Sequence, residues 1–165
     1  MINIYWDVDG CINAFSDKPP RANTFWKGEW GSAKLDGLPI LWSKELVDEI
    51  NKLDERVDVK SNWLTDWMGM APELLVPATG IKGAHWEVLT GDVHAYPWWK
   101  LEAIQMSMER DKPDKVVWVE DNLKYSKEVQ AWLKETSDIY TVIPQSNHGV
   151  TKKQISGIIE FINTP

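Results

Sequence analysis

The sequence has a single cysteine, Cys11, and no apolar run that approaches the length of a membrane-spanning helix. One thiol excludes an internal disulfide and is compatible with a reducing compartment. A helix that crosses a bilayer needs about 20 consecutive apolar residues, so none is predicted here. The first residues also lack the basic, apolar and small-residue pattern of a secretory signal. We therefore expect a cytoplasmic protein with no membrane partner.

Basic residues are also in short supply. Lys and Arg together number 18 and Asp and Glu 25, which gives a formal net charge of -7. Sequence-independent binding along nucleic acid requires a broadly basic surface, so this balance counts against it while leaving room for a small basic pocket. With 43% hydrophobic and 26% charged residues, the chain has the composition of a globular protein. We expect one domain over residues 1–165.

Apolar, β-favouring segments alternate with amphipathic helical segments along the chain. Expected strands begin at Ile2 and cover residues 57–64, 86–89, 116–119 and 138–143. Expected helices cover residues 43–53, 66–75, 97–108, 125–135 and 151–162, with Tyr125 on the apolar face of the fourth. This alternation is typical of a Rossmann-like α/β fold, a three-layer α/β/α sandwich around a parallel sheet. Trp6, Trp63 and Trp118 lie in expected strands and are predicted to fill the core.

Residues 11–42, between the first strand and the first helix, are rich in proline, glycine and aromatic residues. Their turn-forming residues predict a flap or loop insertion, in which residues 24–30 pair with residues 38–42 as a short hairpin. Two interpretations stay open for the tryptophans of this segment. They could stack a base beside its basic residues, or they could pack on the core. The residues concerned are Trp26, Trp30 and Trp42, with Arg21, Lys27 and Lys34.

Polar side chains follow three of the expected strands. They are Asp7 and Asp9, then Thr65, then Glu120 and Asp121. Because the carboxyl ends of parallel strands meet at one edge of a sheet, these side chains should converge, and Lys100 at the start of a helix could reach the same place. Carboxylates from separate strands suit Mg²⁺, while a hydroxyl and an ammonium suit phosphate oxygens. The set predicts a phosphoryl-transfer site with Mg²⁺ as its cofactor.

These segments resemble the four motifs of the haloacid dehalogenase (HAD) superfamily of phosphohydrolases. They read Trp6-Asp7-Val8-Asp9-Gly10, Asn62-Trp63-Leu64-Thr65-Asp66-Trp67, Trp98-Trp99-Lys100 and Val117-Trp118-Val119-Glu120-Asp121. They occur in the family's order and span nearly the whole chain. The second motif, together with Gly149-Val150-Thr151 before the last helix, is most similar to small HAD domains of phages, actinobacteria and RNA-repair proteins.

The resemblance implies a role for each residue. Asp7 would be the nucleophile that forms an aspartyl-phosphate, and Asp9 would protonate the leaving oxygen and then activate water. Thr65 would donate a hydrogen bond to the phosphoryl group. Lys100 would neutralise charge and orient Asp7. In sequence, Lys82, Lys112 and Lys115 compete for this last role, but Lys100 opens a helix between the second and fourth motifs.

The resemblance also implies a Mg²⁺ site. Its ligands would be the carboxylate of Asp7, the backbone carbonyl of Asp9 and the carboxylate of Asp121. Glu120 stands where many relatives carry aspartate, so it would bind the metal or orient its waters. Cys11 is predicted to be a small buried residue, since acids on all sides do not favour a reactive thiolate. His85, His94 and His148 have no metal-ligand spacing, and we interpret them as structural or surface residues.

The gaps between motifs are too short for the large cap domains of many HAD enzymes. We expect a nearly capless, open site that hydrolyses a phosphomonoester, with a phosphorylated small molecule, a nucleotide or a nucleic-acid end as substrate. Three alternatives remain for comparison. A response-regulator receiver domain has the reverse motif order, a non-catalytic module of the same fold would keep the site without turnover, and a polynucleotide-end repair phosphatase would differ in substrate. A calcium loop is discounted because its later acidic positions are missing.

Overall fold

The structure is a computed structural model that describes residues 1–21, 25–94 and 98–165. In chain order the elements are β1 (Ile2–Trp6), β2 (Trp30–Leu35), β3 (Leu38–Ser43), α1 (Lys44–Asp54), β4 (Val59–Trp63), α2 (Val76–Thr79), β5 (Glu87–Val88), α3 (Trp99–Asp111), β6 (Lys115–Val119), α4 (Lys127–Glu135), β7 (Ile139–Val142) and α5 (Lys152–Asn163). A π-helix at Ala71–Leu75 runs into α2, and 3₁₀ turns cover Gly83–His85 and Leu123–Tyr125.

The central sheet has five parallel strands in the order β5-β4-β1-β6-β7. Helices flank it, which confirms the predicted α/β class and a Rossmann-like arrangement. The pairing register matters most for the site, because Trp6 of β1 lies opposite both Trp63 of β4 and Val119 of β6. These three strands therefore end level with one another, and the residues that follow them emerge at one edge.

The two faces of the sheet carry separate apolar clusters. Side chains alternate along β1, so Ile4 and Trp6 join the cluster that includes α1 and α5, whereas Tyr5 joins the cluster that includes α3 and α4. Burying apolar surface on both faces is the main stabilising contribution to such a sandwich. The predicted capping box of α5 is present, with Thr151 and Gln154 each accepting a backbone N–H of the other. Trp6, Trp63 and Trp118 are fully buried, as expected.

The hairpin after β1 differs from the prediction. Its second strand is β3 as expected, but its first strand is β2, which begins at Trp30, and Thr24 lies outside the described residues. The turn between them is Asp36-Gly37, both with positive φ (46° and 81°). Two left-handed residues form the tight turn that matches the twist of a hairpin. Because Asp36-Gly37 fixes the turn directly before β3, the first strand of the hairpin begins at Trp30, six residues later than predicted.

The tryptophans of this segment pack on the core. Trp26 and Trp42 are both 6% exposed, and the Trp26 indole donates to the carbonyl of Val150 at 2.7 Å. The interpretation in which Trp26 stacks a ligand is therefore wrong. Trp30 is half-buried, and its indole donates to the Trp26 carbonyl at 3.3 Å.

Two helix predictions also need correction. Residues 66–69 form turns, and only Met70 and the π-helix at Ala71–Leu75 are helical within the helix expected over residues 66–75. Tyr125 is not on the buried face of α4, because Ser126 accepts the Val129 N–H as an N-cap and starts the helix after it. Pro97, the expected start of α3, lies outside the described residues, and α3 begins at Trp99. No described helix combines the length and the apolar character needed to cross a bilayer.

Candidate active site

The predicted residues meet at the carboxyl edge of the sheet. A cavity of about 400 Å³ is lined by Asp7 and Asp9 after β1, Thr65 after β4, Lys100 in the first turn of α3 and Asp121 after β6. The level ends of β1, β4 and β6 bring these side chains together, as the motif positions predicted. Binding sites in open parallel sheets lie at this edge.

Lys100 lies between two carboxylates below the cavity. Its Nζ is 3.1 Å from Asp7 Oδ1 and 2.6 Å from Glu120 Oε2. Burial alone lowers the pKa of Lys100, but the negative charges of Asp7 and Glu120 outweigh it and hold the pKa well above its ordinary value. Lys100 therefore stays an ammonium. Two of its competitors lie elsewhere, since Lys82 pairs with Glu55 and Lys115 donates to the Phe161 carbonyl at 3.0 Å.

The carboxylates around Lys100 carry more charge than it can neutralise. Asp7, Glu120 and Asp121 are each 5% exposed or less, and Lys100 is the one lysine or arginine among the buried side chains that the structure describes. Burial raises the pKa of Asp7, against the opposing charge of Lys100 and a hydrogen bond with Thr65. Burial and then the charge of Asp7 raise the pKa of Glu120. Buried carboxylates in excess of cations need a further cation or a proton.

Asp121 has an oxygen free for that cation. Its Oδ2 accepts a hydrogen bond from the Ser146 hydroxyl at 2.5 Å, whereas its Oδ1 is buried without a hydrogen-bonding partner among the described residues. A ligand atom from each of Asp7, Cys11 and Asp121 lies within 4.8 Å of the others. An orphaned buried oxygen beside a second carboxylate fits a divalent cation, because unsatisfied buried acceptors are costly.

Gly10 makes this close packing possible. Its φ is +73°, and a Cβ at this position would lie 2.1 Å from Asp121 Oδ2. Any side chain would therefore push the Asp121 carboxylate out of place. Glycine also adopts the left-handed conformation without a steric penalty. The glycine of the first motif thus allows the turn after Asp9 and the approach of β6's acidic residue.

Cys11 fills space beside the site and is a poor candidate for a metal ligand. It is fully buried and free, as predicted. Burial and then the charges of Asp7, Glu120 and Asp121 raise its pKa well above the ordinary value. Its thiol therefore stays protonated at neutral pH, and a protonated thiol is a poor metal ligand. The donors that remain are oxygens, the type that Mg²⁺ prefers.

Asp9 is held by two donors that sequence reasoning missed. Its Oδ1 accepts from the Asn13 amide and its Oδ2 from the Trp67 indole, both at 2.8 Å. Trp67 belongs to the second motif, and Asn13 lies three residues after the end of the first. Ser146, which donates to Asp121, comes from a distant loop and had no sequence signal.

Glu120 is engaged with Lys100 and the backbone. Its Oε2 meets Lys100, and its Oε1 accepts the N–H of Asn122 at 3.1 Å. Within the described chain it does not join the group of possible metal ligands formed by Asp7, Cys11 and Asp121. The ligand expected from Asp9 is its backbone carbonyl, and its side chain is held by Asn13 and Trp67.

The histidines lie away from the cavity that these residues line. His85 Nε2 is 3.5 Å from Asp54 Oδ2 on α1, and the His148 ring packs on Phe25 with 4.4 Å between ring centroids. His94 has its backbone N–H bonded to Asp92. Their positions agree with structural or surface roles.

No protein-family model, curated protein or solved structure matches the chain. The class that the fold supports is an α/β protein with a parallel, Rossmann-like sheet and an acidic site at its carboxyl edge. The resemblance to the HAD superfamily rests on the four sequence motifs alone.

Proposed function

We propose that this protein is a HAD-type phosphohydrolase that cleaves a phosphomonoester through an aspartyl-phosphate on Asp7, with Mg²⁺ as cofactor. The observation that carries the proposal is the convergence of a buried carboxylate, its lysine partner at 3.1 Å, a threonine and an orphaned aspartate oxygen in one cavity. Each group has a use in phosphoryl transfer, and together they leave an excess of negative charge that a metal would balance.

Asp7 attacks phosphorus in this proposal. A bond forms between its carboxylate oxygen and phosphorus, and the bond from phosphorus to the leaving oxygen breaks. Burial raises the pKa of the Asp7 carboxyl, and the ammonium of Lys100 opposes this by favouring the ionised form that attacks phosphorus. The Thr65 hydroxyl, at the same end of the cavity, donates to a phosphoryl oxygen. Glu120 holds Lys100 in place from the opposite side at 2.6 Å.

Asp9 moves the protons. It gives a proton to the leaving oxygen, then takes one from the water that attacks the aspartyl-phosphate and releases inorganic phosphate. Asn13 and Trp67 fix its carboxylate through one N–H on each oxygen. Each carboxylate oxygen has a second lone pair, so both hydrogen bonds are compatible with a proton arriving from the cavity.

The Asp7 carboxylate, the Asp9 backbone carbonyl and Asp121 would hold the metal. When bound, Mg²⁺ supplies positive charge that lets a carboxylate approach a phosphate dianion. Ser146 fixes the other oxygen of Asp121 and so aims the free one at the site. The donor set of oxygens supports Mg²⁺ over softer metals.

Hydrolysis of an aryl phosphate, with and without Mg²⁺, tests the proposal. We expect metal-dependent turnover that falls by about 1,000-fold or more in Asp7→Asn, because the nucleophile is lost. Asp48→Asn is the matched control, since Asp48 lies exposed on α1 and makes the same chemical change away from the site. Turnover that survives in purified Asp7→Asn would overturn the assignment. Metal binding without turnover on any phosphomonoester would instead favour a non-catalytic module.

A further inference from the structure

The exposed aromatic side chains of this protein are concentrated at one place. Of the Phe, Trp and Tyr residues that the structure describes, only Phe15 and Tyr125 are exposed, at 55% and 74%. Both line the cavity that holds Asp7. Exposed aromatic rings are costly to leave in water, so their confinement to the mouth of a polar cavity points to a ligand with an apolar, planar part.

Both rings stand on an ordered backbone. The Phe15 N–H donates to the carbonyl of Ser146 at 2.9 Å, and Ser146 is the residue that also holds Asp121. Tyr125 ends the 3₁₀ turn that is anchored by the fully buried Leu123, and its N–H donates to the Asn122 carbonyl at 3.0 Å. The rings are therefore presented from two separate segments that also carry or position residues of the acidic site.

A free side-chain amide also lines the cavity. Asn122 lines the cavity and is exposed, and within the described chain its side-chain amide has no hydrogen-bonding partner. An amide offers a donor and an acceptor side by side, which is the pattern of a nucleobase edge. The half-buried Trp98 forms a further apolar wall, because its ring stacks on Trp118 at 5.8 Å.

The difference in exposure between the charged residues and the aromatic rings indicates the kind of ligand. Asp7 and Lys100 at the base are 5% and 2% exposed, whereas the two rings at the mouth are mostly exposed. A ligand that places its phosphate among the buried residues and its planar group against the exposed rings needs a spacer between the two. The sugar of a nucleotide is such a spacer, whereas a phosphate bonded directly to an aromatic ring has none. The cavity of about 400 Å³ is within the usual range for small-molecule sites.

Resting on the proposed function, we infer that the phosphomonoester is that of a nucleotide, whose base contacts Phe15 and Tyr125 and whose edge meets Asn122. Phe15 also lines a second groove of about 680 Å³ that runs along the hairpin past Ala33 and Ile40. The mouth is therefore open toward a following nucleotide. A free nucleotide and the phosphorylated end of an oligonucleotide share the chemistry that this site recognises.

The deciding experiment compares ribose 5-phosphate with adenosine, guanosine, cytidine and uridine 5′-monophosphates, which differ from it by the base. Stacking on aromatic side chains is worth about 1–3 kcal/mol per base, so we expect kcat/KM to rise roughly 5- to 150-fold when a base is present. The rise in kcat/KM should come from a lower KM. If the kcat/KM of ribose 5-phosphate equals that of all four nucleotides, the inference is overturned, while the proposed phosphatase activity stands.

Substitutions of Phe15 and Tyr125 test whether the preference for nucleotides depends on the aromatic rings. Tyr125→Leu and Phe15→Leu should each reduce the preference for nucleotides over ribose 5-phosphate, whereas Tyr125→Phe should keep it because the ring remains. Val57→Ala is the control for losing an exposed apolar side chain elsewhere, since Val57 is 97% exposed in the turn before β4. An unchanged preference in both leucine variants would contradict the inference.

Binding separates the two proposals. Quenching of tryptophan fluorescence by adenosine 5′-monophosphate can be followed in the wild-type chain and in Asp7→Asn, with ribose 5-phosphate as the reference. Base-dependent binding by the wild-type chain without turnover of any nucleotide would support the nucleotide as the ligand and contradict the catalytic proposal. In the turnover assay and in the binding assay, a 5′- or 3′-phosphorylated tetranucleotide then distinguishes a free nucleotide from the end of an oligonucleotide. A preference for it indicates a strand end, and parity with the mononucleotide indicates a free nucleotide.

Discussion

Near each end of α3 a lysine lies between two carboxylates, Lys100 of α3 at one end and Lys60 of β4 at the other, and the two clusters differ in their balance of charge. The Lys100 cluster comprises Lys100, Asp7, Glu120 and Asp121, and the Lys60 cluster comprises Lys60, Arg110, Glu87 and Asp111. The pair distances are the same, at 2.6 and 3.1 Å. In the Lys60 cluster Arg110 adds a second cation, with a bidentate pair to Glu87 at 2.6 Å. The Lys100 cluster has no second cation among the described residues.

The pKa directions follow from this balance. In the Lys60 cluster, hydrogen bonds from Arg110 and Lys60 hold the pKa of Asp111 well below its ordinary value. Burial raises the pKa of Glu87, but hydrogen bonds from Arg110 and Lys60 outweigh burial and lower this pKa below its ordinary value. In the Lys100 cluster, burial raises the pKa of both Asp7 and Glu120. Similar contacts thus stabilise the folded chain at one end of α3 and leave a site short of positive charge at the other.

The largest difference should come from removing each lysine. Lys100→Met leaves Asp7 and Glu120 buried without a cation, so we expect a loss of about 3–5 kcal/mol in the free energy of unfolding, together with loss of turnover. Lys60→Met should cost about 0–1 kcal/mol, because Lys60 is 36% exposed and Arg110 remains. Urea unfolding measures both.

The double variant Lys100→Met with Glu120→Gln checks the cause. Removing one of the stranded charges should restore part of the stability and none of the activity. A Lys60→Met variant as unstable as Lys100→Met would show that the two clusters are equivalent after all.

Magnesium should distinguish the clusters next. Because the metal binds the folded chain, Mg²⁺ at 100 times its dissociation constant should raise the free energy of unfolding by about 2.7 kcal/mol. Asp121→Asn should abolish this gain, since the orphaned oxygen loses its charge. Asp111→Asn should lower basal stability and keep the gain. Thermal unfolding in Mg²⁺ against EDTA measures both, and a full gain in Asp121→Asn would contradict the metal site.

The smallest effect is on the pH dependence without metal, where the clusters should have opposite signs. Asp111 has a lowered pKa, so its contribution is present above its unfolded value of about 3.9 and is lost as the pH falls. Glu120 has a raised pKa, so stability declines as the pH rises above about 4.3 toward the folded pKa.

Urea unfolding in EDTA from pH 3 to 8 tests these signs. Asp111→Asn should flatten the acid limb, and Glu120→Gln should flatten the decline above it. Each proton changes the slope by at most about 1.4 kcal/mol per pH unit. Slopes of the same sign for the two groups would refute the contrast in pKa.

Local patterns predicted those features that depend on neighbours in sequence. The alternation of apolar strands and amphipathic helices indicated the parallel α/β sheet, and Thr151 with Gln154 indicated the start of α5. The Asp36-Gly37 turn is a local signal of the same kind, and it sets the first strand of the hairpin later than the predicted residues 24–30. The spacing of Tyr125 fits α4 and predicts a place on its buried face, but Ser126 caps a helix that begins at Lys127, two residues after Tyr125.

The candidate site divides in the same way. Sequence by itself determined which polar residues follow β1, β4 and β6, because the strand pattern and the motif spacing are local properties. Only the tertiary structure decided that Ser146 holds Asp121, that Asn13 and Trp67 hold Asp9, and that Glu120 faces Lys100. The level register of three strands and the burial of the charges between them set these contacts, and both arise from packing between segments far apart in the chain.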